Sequence, residues 1–208
     1  MTIPVASSRS GAARFGWRAL APIGLVAVAL CGCSINLGSL LPDTDSDAPK
    51  AAPATASVSD ARIAATHAQA LLRSGKTEDA LAEFDRAIAL DPHNAQALYN
   101  RGLLYQGEKQ HQLAIDDFTA ANGLTPQQPE PLLGRAISYL ALDKTKEAAA
   151  DLDEAVQADS QNGQIWTTRG IAYERLGDKA KAAASYSRAI AIRPRDEAAR
   201  SGLARLGG

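Results

Sequence analysis

The 208-residue chain has nearly balanced charge, with 22 Lys and Arg against 23 Asp and Glu and a formal net charge of −1. This balance excludes a strongly basic surface, so no nucleic-acid partner is expected. Hydrophobic residues make up 46% of the chain, with alanine prominent, which provides enough apolar surface for a core and favours helices over sheets.

The segment 1–33 has the pattern of a bacterial export signal. Arg9, Arg14 and Arg18 precede an apolar stretch from Ala19 to Leu30, and a basic region followed by a short apolar region is typical of such signals. The stretch is too short to span a bilayer. Because the arginines stay on the cytoplasmic side, the rest of the chain is predicted to lie outside the inner membrane.

The Leu-Cys-Gly-Cys sequence at positions 30–33 resembles a bacterial lipoprotein signal. This resemblance implies that Cys33 becomes a lipid-acylated N-terminus that faces the periplasm. Ser34 follows the cysteine where an aspartate would imply retention, so the same resemblance implies transfer to the outer membrane. Two alternatives stay open: cleavage after Ala29, which gives a soluble exported protein, and retention of the uncharged run 19–41 as a membrane anchor.

The segment 34–60 differs in composition from the segments on either side. It is rich in Ala, Ser, Asp and Pro, a composition that buries too little apolar surface to fold. The sequence therefore predicts a disordered tether. Its prolines and clustered acids are Pro42, Pro49, Pro53, Asp43, Asp45 and Asp47.

The segment 61–196 aligns on itself at a fixed period without an insertion, as the four units 61–94, 95–128, 129–162 and 163–196. Within each unit, small and large apolar residues recur at i, i+4 and i+7, which predicts two amphipathic helices per unit. Proline ends the second helix in three units. The clearest columns are Ala80, Ala114, Ala148 and Ala182; Phe84, Phe118, Leu152 and Tyr186; and Ala68, Gly102, Ala136 and Gly170.

These columns resemble the tetratricopeptide repeat. The resemblance implies an all-α, right-handed solenoid of four helix-turn-helix repeats that binds proteins and does not catalyse a reaction. After the last repeat, the segment 197–208 places Ala199, Leu203 and Leu206 on one helical face, which predicts a short capping helix and tail. A frayed tail is the alternative.

The same resemblance implies that the first helices line a concave groove that holds a protein or peptide partner. We expect an apolar stripe there, with Asn100 and Thr168 beside it as hydrogen-bonding groups. Alternatively, the stripe packs against the neighbouring helices. Its members are Tyr99, Leu103, Leu133, Ile137 and Ile171.

Three arginines, Arg101, Arg135 and Arg169, recur in register in the first helices. They are expected to pair with acids of adjacent repeats, such as Asp117, Asp151 and Asp153. Alternatively, they bind a carboxylate-rich partner. The Lys/Asn/Arg clamp by which some tetratricopeptide domains bind acidic chaperone termini is matched here only at Asn100, so that activity is not expected.

No catalytic residue, metal site or cofactor is predicted. Both cysteines lie in the segment 1–33, and the three histidines are spaced too widely for a compact metal motif. A Gly-rich phosphate loop is also missing from the sequence. We therefore predict a membrane-tethered, non-enzymatic scaffold of the bacterial envelope. A pilotin-like assembly or transport factor for an outer-membrane complex is the alternative.

Overall fold

The computed structural model describes residues 54–126 and 128–207, which form nine α-helices and no strand. They belong to one compact unit that begins at Pro49. The predicted signal segment, Cys33 and most of the tether lie outside the described residues. The helices are α1 Ala54–Arg73, α2 Thr77–Leu90, α3 Ala95–Gly107, α4 His111–Leu124, α5 Pro129–Ala141, α6 Thr145–Ala158, α7 Gly163–Arg175, α8 Lys179–Ile192 and α9 Glu197–Leu206.

Helices α1 to α8 form four helix pairs, one in each predicted repeat unit. Each helix packs mainly against its neighbours in sequence, and the first helices α3, α5 and α7 also contact one another. The turn inside each pair contains one residue with positive φ: Gly75 at 77°, Lys109 at 62°, Asp143 at 57° and Gly177 at 80°. These residues occupy the same position of each repeat, so all four pairs turn in the same way. The predicted all-α solenoid is confirmed.

Helix α1 begins earlier than the sequence predicted. The segment 54–60 was assigned to the disordered tether, but it forms the first turns of this helix. The prolines that mark the tether end at Pro53, immediately before the first residue of α1. Alanine-rich sequence follows it and has high helix propensity. As a result α1 has 20 residues, whereas α3, α5 and α7 have 13 each.

A single aromatic ring joins the second and third helix pairs. Phe118 of α4 is fully buried between Gly102 of α3 and Gly134 of α5. A Cβ atom at Gly102 would lie 2.8 Å from Cε1 of the ring, and one at Gly134 would lie 2.7 Å from Cζ. Because no side chain fits at either position, the ring packs directly on two helix backbones.

The same arrangement closes the C-terminal end of the solenoid. The buried ring of Tyr186 lies between Gly170 of α7 and Gly202 of α9. Its hydroxyl donates a hydrogen bond of 2.6 Å to Glu174, which accepts two hydrogen bonds of 2.9 Å from Arg205 of α9. These contacts dock α9 onto the last pair. The predicted capping helix is confirmed, and its end is not a frayed tail.

Arginines connect each second helix to the second helix of the preceding pair. Arg101 of α3 donates two hydrogen bonds, 2.8 and 2.7 Å long, to Asp117 of α4 and one of 2.7 Å to Asp85 of α2. The hydrogen bonds to Asp117 raise the pKa of the Arg101 guanidinium. Arg135 and Arg169 occupy the equivalent positions in α5 and α7. Their partners are Asp151 and Thr119 for Arg135, and Ser185 and Asp153 for Arg169.

The predicted partners Asp117, Asp151 and Asp153 are therefore confirmed. The expectation that they belong to adjacent repeats holds only for Arg169 and Asp153, because Asp117 and Asp151 lie in the same repeats as Arg101 and Arg135. The three arginine side chains are only 15 to 21% exposed. Their donors form hydrogen bonds to carboxylates and hydroxyls of the chain itself, which argues against the alternative in which they bind an acidic partner.

We expect Gly170→Ala to destabilise the fold, because the added methyl would lie 2.5 Å from the Tyr186 ring. Overpacking of this kind costs about 1–3 kcal/mol of the free energy of unfolding, measured by urea denaturation of the unit from Pro49 onward. Gly123→Ala is the matched control. It lies within α4 with nothing within 4 Å of its added Cβ and should be neutral or stabilising by up to about 1 kcal/mol. Equal stability of the two variants would contradict the ring-on-glycine packing.

We expect Arg135→Met to lower the free energy of unfolding by about 2–3 kcal/mol. The substitution leaves the Asp151 carboxylate, only 10% exposed, without its cation and without two hydrogen bonds of 2.7 Å. Arg86→Met is the control, since Arg86 is 65% exposed and 3.6 Å from Glu83. That change should stay within about 0.5 kcal/mol. A similar loss of unfolding free energy in both variants would show that the buried ion pair stabilises the fold no more than the exposed one.

Candidate functional site

The predicted stripe lies on three successive first helices. Tyr99 and Leu103 are on α3, Leu133 and Ile137 on α5, and Ile171 on α7. Leu103 is 40% exposed, and the other four side chains are partly buried. We call the exposed parts of these five residues the first-helix surface. Its residues lie on α3, α5 and α7, and α5 contacts both of the other helices.

Part of this stripe also stabilises the core. Leu133 and Ile171 pack against the buried cluster of the last two pairs and α9. Tyr99 lies with its ring centroid 5.8 Å from that of Phe118. Burial and the negative charge of Glu130 raise the pKa of the Tyr99 phenol, so the hydroxyl keeps its proton. These side chains therefore both pack against the core and leave part of their surface exposed.

The two polar residues predicted beside the stripe differ in availability. Asn100 accepts a hydrogen bond of 3.1 Å from Gln96, and its buried Nδ2 has no hydrogen-bond partner among the described residues. Thr168 is only 8% exposed, and its hydroxyl donates to the carbonyl of Gln164 at 2.9 Å. Thr168 therefore does not belong to the site, because a threonine inside a helix satisfies its hydroxyl on the preceding turn.

A groove of about 440 Å³ opens at one end of the first-helix surface, between the starts of α3 and α5. The sequence analysis missed most of it. Gln96 and Glu130 occupy the same register, one repeat apart, on the two first helices, so the repeat alignment contained the signal. The groove combines a phenol, two primary amides and one carboxylate with apolar surface. Its lining residues are Ala95, Gln96, Tyr99, Thr125, Gln128, Glu130 and Pro131.

Such a site can bind a segment of polypeptide, because apolar surface covers side chains while amide groups hydrogen-bond the backbone. Within residues 54–126 and 128–207, no cluster of three His, Asp or Glu side chains can hold a metal ion. Over the same residues, no helix is long and apolar enough to cross a membrane.

Solved structures with the same fold include protein-binding domains. MamA from Desulfovibrio magneticus RS-1 is 20% identical, with a TM-score of 0.67 over 71% of this chain and 84% of that one; at this identity the likeness concerns the fold alone. The Arabidopsis OM64 tetratricopeptide domain is 26% identical, with a TM-score of 0.53 over 54% of this chain and 93% of that one. The first such domain of Spaghetti (RPAP3), bound to the HSP90 peptide SRMEEVD, is also 26% identical, with a TM-score of 0.54 over 56% of this chain and 93% of that one.

The sequence comparisons give the family. No curated protein matches the chain significantly. The model of the tetratricopeptide repeat matches residues 66–129 and 133–197, more than half of the chain. These ranges cover the C-terminal part of α1 and, apart from residues 130–132 of α5, all of α2 to α8. The chain therefore belongs to the tetratricopeptide repeat family.

Proposed function

We propose that the chain is a non-catalytic scaffold that binds a segment of a partner protein on the first-helix surface. Tetratricopeptide proteins are protein-interaction scaffolds, and their domains bind peptides, as the RPAP3 domain does with its HSP90 peptide. One observation carries the proposal for this chain: Leu103 is 40% exposed and lies about one helical turn after Tyr99, which lines the open groove. A large apolar side chain next to a groove is characteristic of binding surfaces.

The chemistry of the groove restricts the partner segment. Glu130 is exposed and has no ion-pair partner among the described residues, and no Lys or Arg lines the groove. A carboxylate repels acidic ligands and attracts basic ones. We therefore propose a partner segment with apolar side chains and no acidic cluster, unlike the peptide SRMEEVD bound to the RPAP3 domain.

The partner-binding proposal is tested by affinity enrichment from envelope extracts, with the unit from Pro49 onward as bait. We expect Leu103→Glu to weaken capture of the enriched partner by about tenfold or more, because a charge then lies in the apolar contact. Leu113→Glu is the control, since Leu113 is 45% exposed but lies on the second helix α4. Equal capture by the wild-type unit and Leu103→Glu, or equal loss in both variants, would contradict binding at this surface.

We also propose that the scaffold is membrane-tethered through acylation of Cys33 and faces the periplasm from the outer membrane. The support is the signal pattern of the segment 1–33 and the tether-like composition that separates it from α1. Stable anchoring by lipid requires two acyl chains, or one acyl chain together with a second membrane-binding signal. A diacylglyceryl group supplies two chains on one residue.

Mass spectrometry of the mature N-terminus tests the tether. We expect an N-terminal peptide that begins at Cys33 and carries a diacylglyceryl group, and membrane-pelleted protein that separates with outer-membrane fractions. Cys33→Ala should abolish the modification and the pelleting, whereas Cys31→Ala should preserve both. An unmodified N-terminus at Leu30, or an intact Met1, would replace the lipid anchor with the soluble or membrane-retained form.

A further inference from the structure

The N-terminal end of the solenoid has an uncovered apolar face. In the three later pairs, the residue equivalent to Ile63 is covered by the preceding pair: Ala97 and Ile165 are 0% exposed, and Pro131 is buried. Ile63 itself is 66% exposed. We define the end face by exposed residues on this side of α1, which are Asp60, Ile63, Thr66, His67 and Ala70.

The charged groups of the end face are also incomplete when compared with the later repeats. Arg101 and Arg169 each contact an aspartate of the preceding pair, Asp85 and Asp153 respectively. His67 occupies the equivalent position in α1. It lies 3.6 Å from Glu83 of its own pair and remains 58% exposed. Among the described residues, the place that a preceding pair's aspartate fills beside Arg101 and Arg169 is therefore unfilled beside His67.

The opposite end of the solenoid does not complement this face. Helix α9 covers the last pair and presents Glu197, Arg200 and Arg205 to solvent. Stacking the solenoids head to tail would bury Ile63 against charged side chains, which is unfavourable. A face that contains its own complementary groups can instead pair with itself about a two-fold axis.

We propose that the end face pairs with the end face of a second copy, with the two α1 helices antiparallel and a two-fold axis near Ile63. Asp60 precedes Ile63 by three positions and His67 follows it by four. Their combined separation is nearly two helical turns, so these two side chains lie on the same edge of α1. Antiparallel pairing brings Asp60 of each copy beside His67 of the other, while the two Ile63 side chains meet at the centre.

The contact is a weak one, concentrated on a shallow groove of about 410 Å³ lined by Arg62, Ile63, Thr66, His67 and Ala70. Interfaces at the small end of the size range give reversible, concentration-dependent association. The pair is self-limiting, because the two-fold axis uses the single open end of both copies. The first-helix surface on α3, α5 and α7 is left free in each copy.

Site-directed cross-linking tests this arrangement on the unit from Pro49 onward, which contains every described helix in one compact body. This unit has no cysteine, since Cys31 and Cys33 precede it. Under an added oxidant, Ile63→Cys should form a disulfide-linked dimer. Asp60→Cys and His67→Cys should link when mixed and much less when each is alone. Val58→Cys is the control: it is 52% exposed on the same helix and lies about 140° around it from Ile63.

Sedimentation equilibrium provides the second measurement. The wild-type unit should double in mass between about 10 µM and 1 mM, the range expected of a small interface. Ile63→Asp should stay monomeric with an unchanged far-UV circular dichroism spectrum, whereas Val58→Asp should associate like the wild type. A wild-type unit that stays monomeric throughout would overturn the proposal. Association that survives Ile63→Asp, or cross-linking of Asp60→Cys to itself that exceeds linking to His67→Cys, would also overturn it.

Discussion

The packing of one aromatic ring against two glycine backbones is the contact on which the solenoid depends. Phe118 and Tyr186 each lie between two glycines on the flanking helices, so one side chain sets the distance between three helices at once. The glycines leave no space for adjustment, because even a methyl group would overlap the ring. The second and third pairs, and likewise the last pair and α9, are therefore held at a fixed separation, which keeps the first helices α3 and α5 in fixed register.

The arginine contacts add direction to this packing. Each of the three arginines joins the second helix of its own pair to the second helix of the pair before it. The rings on glycines bring neighbouring helices into close contact. The planar guanidinium of each arginine adds directional hydrogen bonds, which fix the angle at which the helices pack. Because these ionic contacts lie away from Leu103, an apolar surface remains available on that side of the first helices.

The repeat period allowed most of the fold to be predicted from sequence, because similar residue types fall in the same helical register in every repeat. The columns led to the helix pairs, the capping helix and the pairing of Asp117, Asp151 and Asp153. Gly134 and Gly202 were not recognised as packing positions. They lie outside the small-residue column and are understood only once the preceding ring is placed beside them.

The candidate site was less predictable, because exposure is a property of three dimensions. The resemblance to the tetratricopeptide repeat placed Leu103 and Leu133 on one surface, but the repeat pattern does not distinguish the 40% exposed Leu103 from Leu133, which packs against the core. Thr168 was misassigned since sequence does not reveal that its hydroxyl bonds its own helix. The start of α1 at Ala54 was missed for a related reason: the helix continues into a segment whose composition resembled the tether.

The closing of the C-terminal end by α9 has a consequence for how the stack of helix pairs terminates. Gly202 covers the Tyr186 ring, and Glu174 accepts two hydrogen bonds from Arg205. A further helix pair would have to occupy the place that α9 takes against α8. The described solenoid therefore stops at its fourth pair, because the last aromatic ring is already covered on both sides.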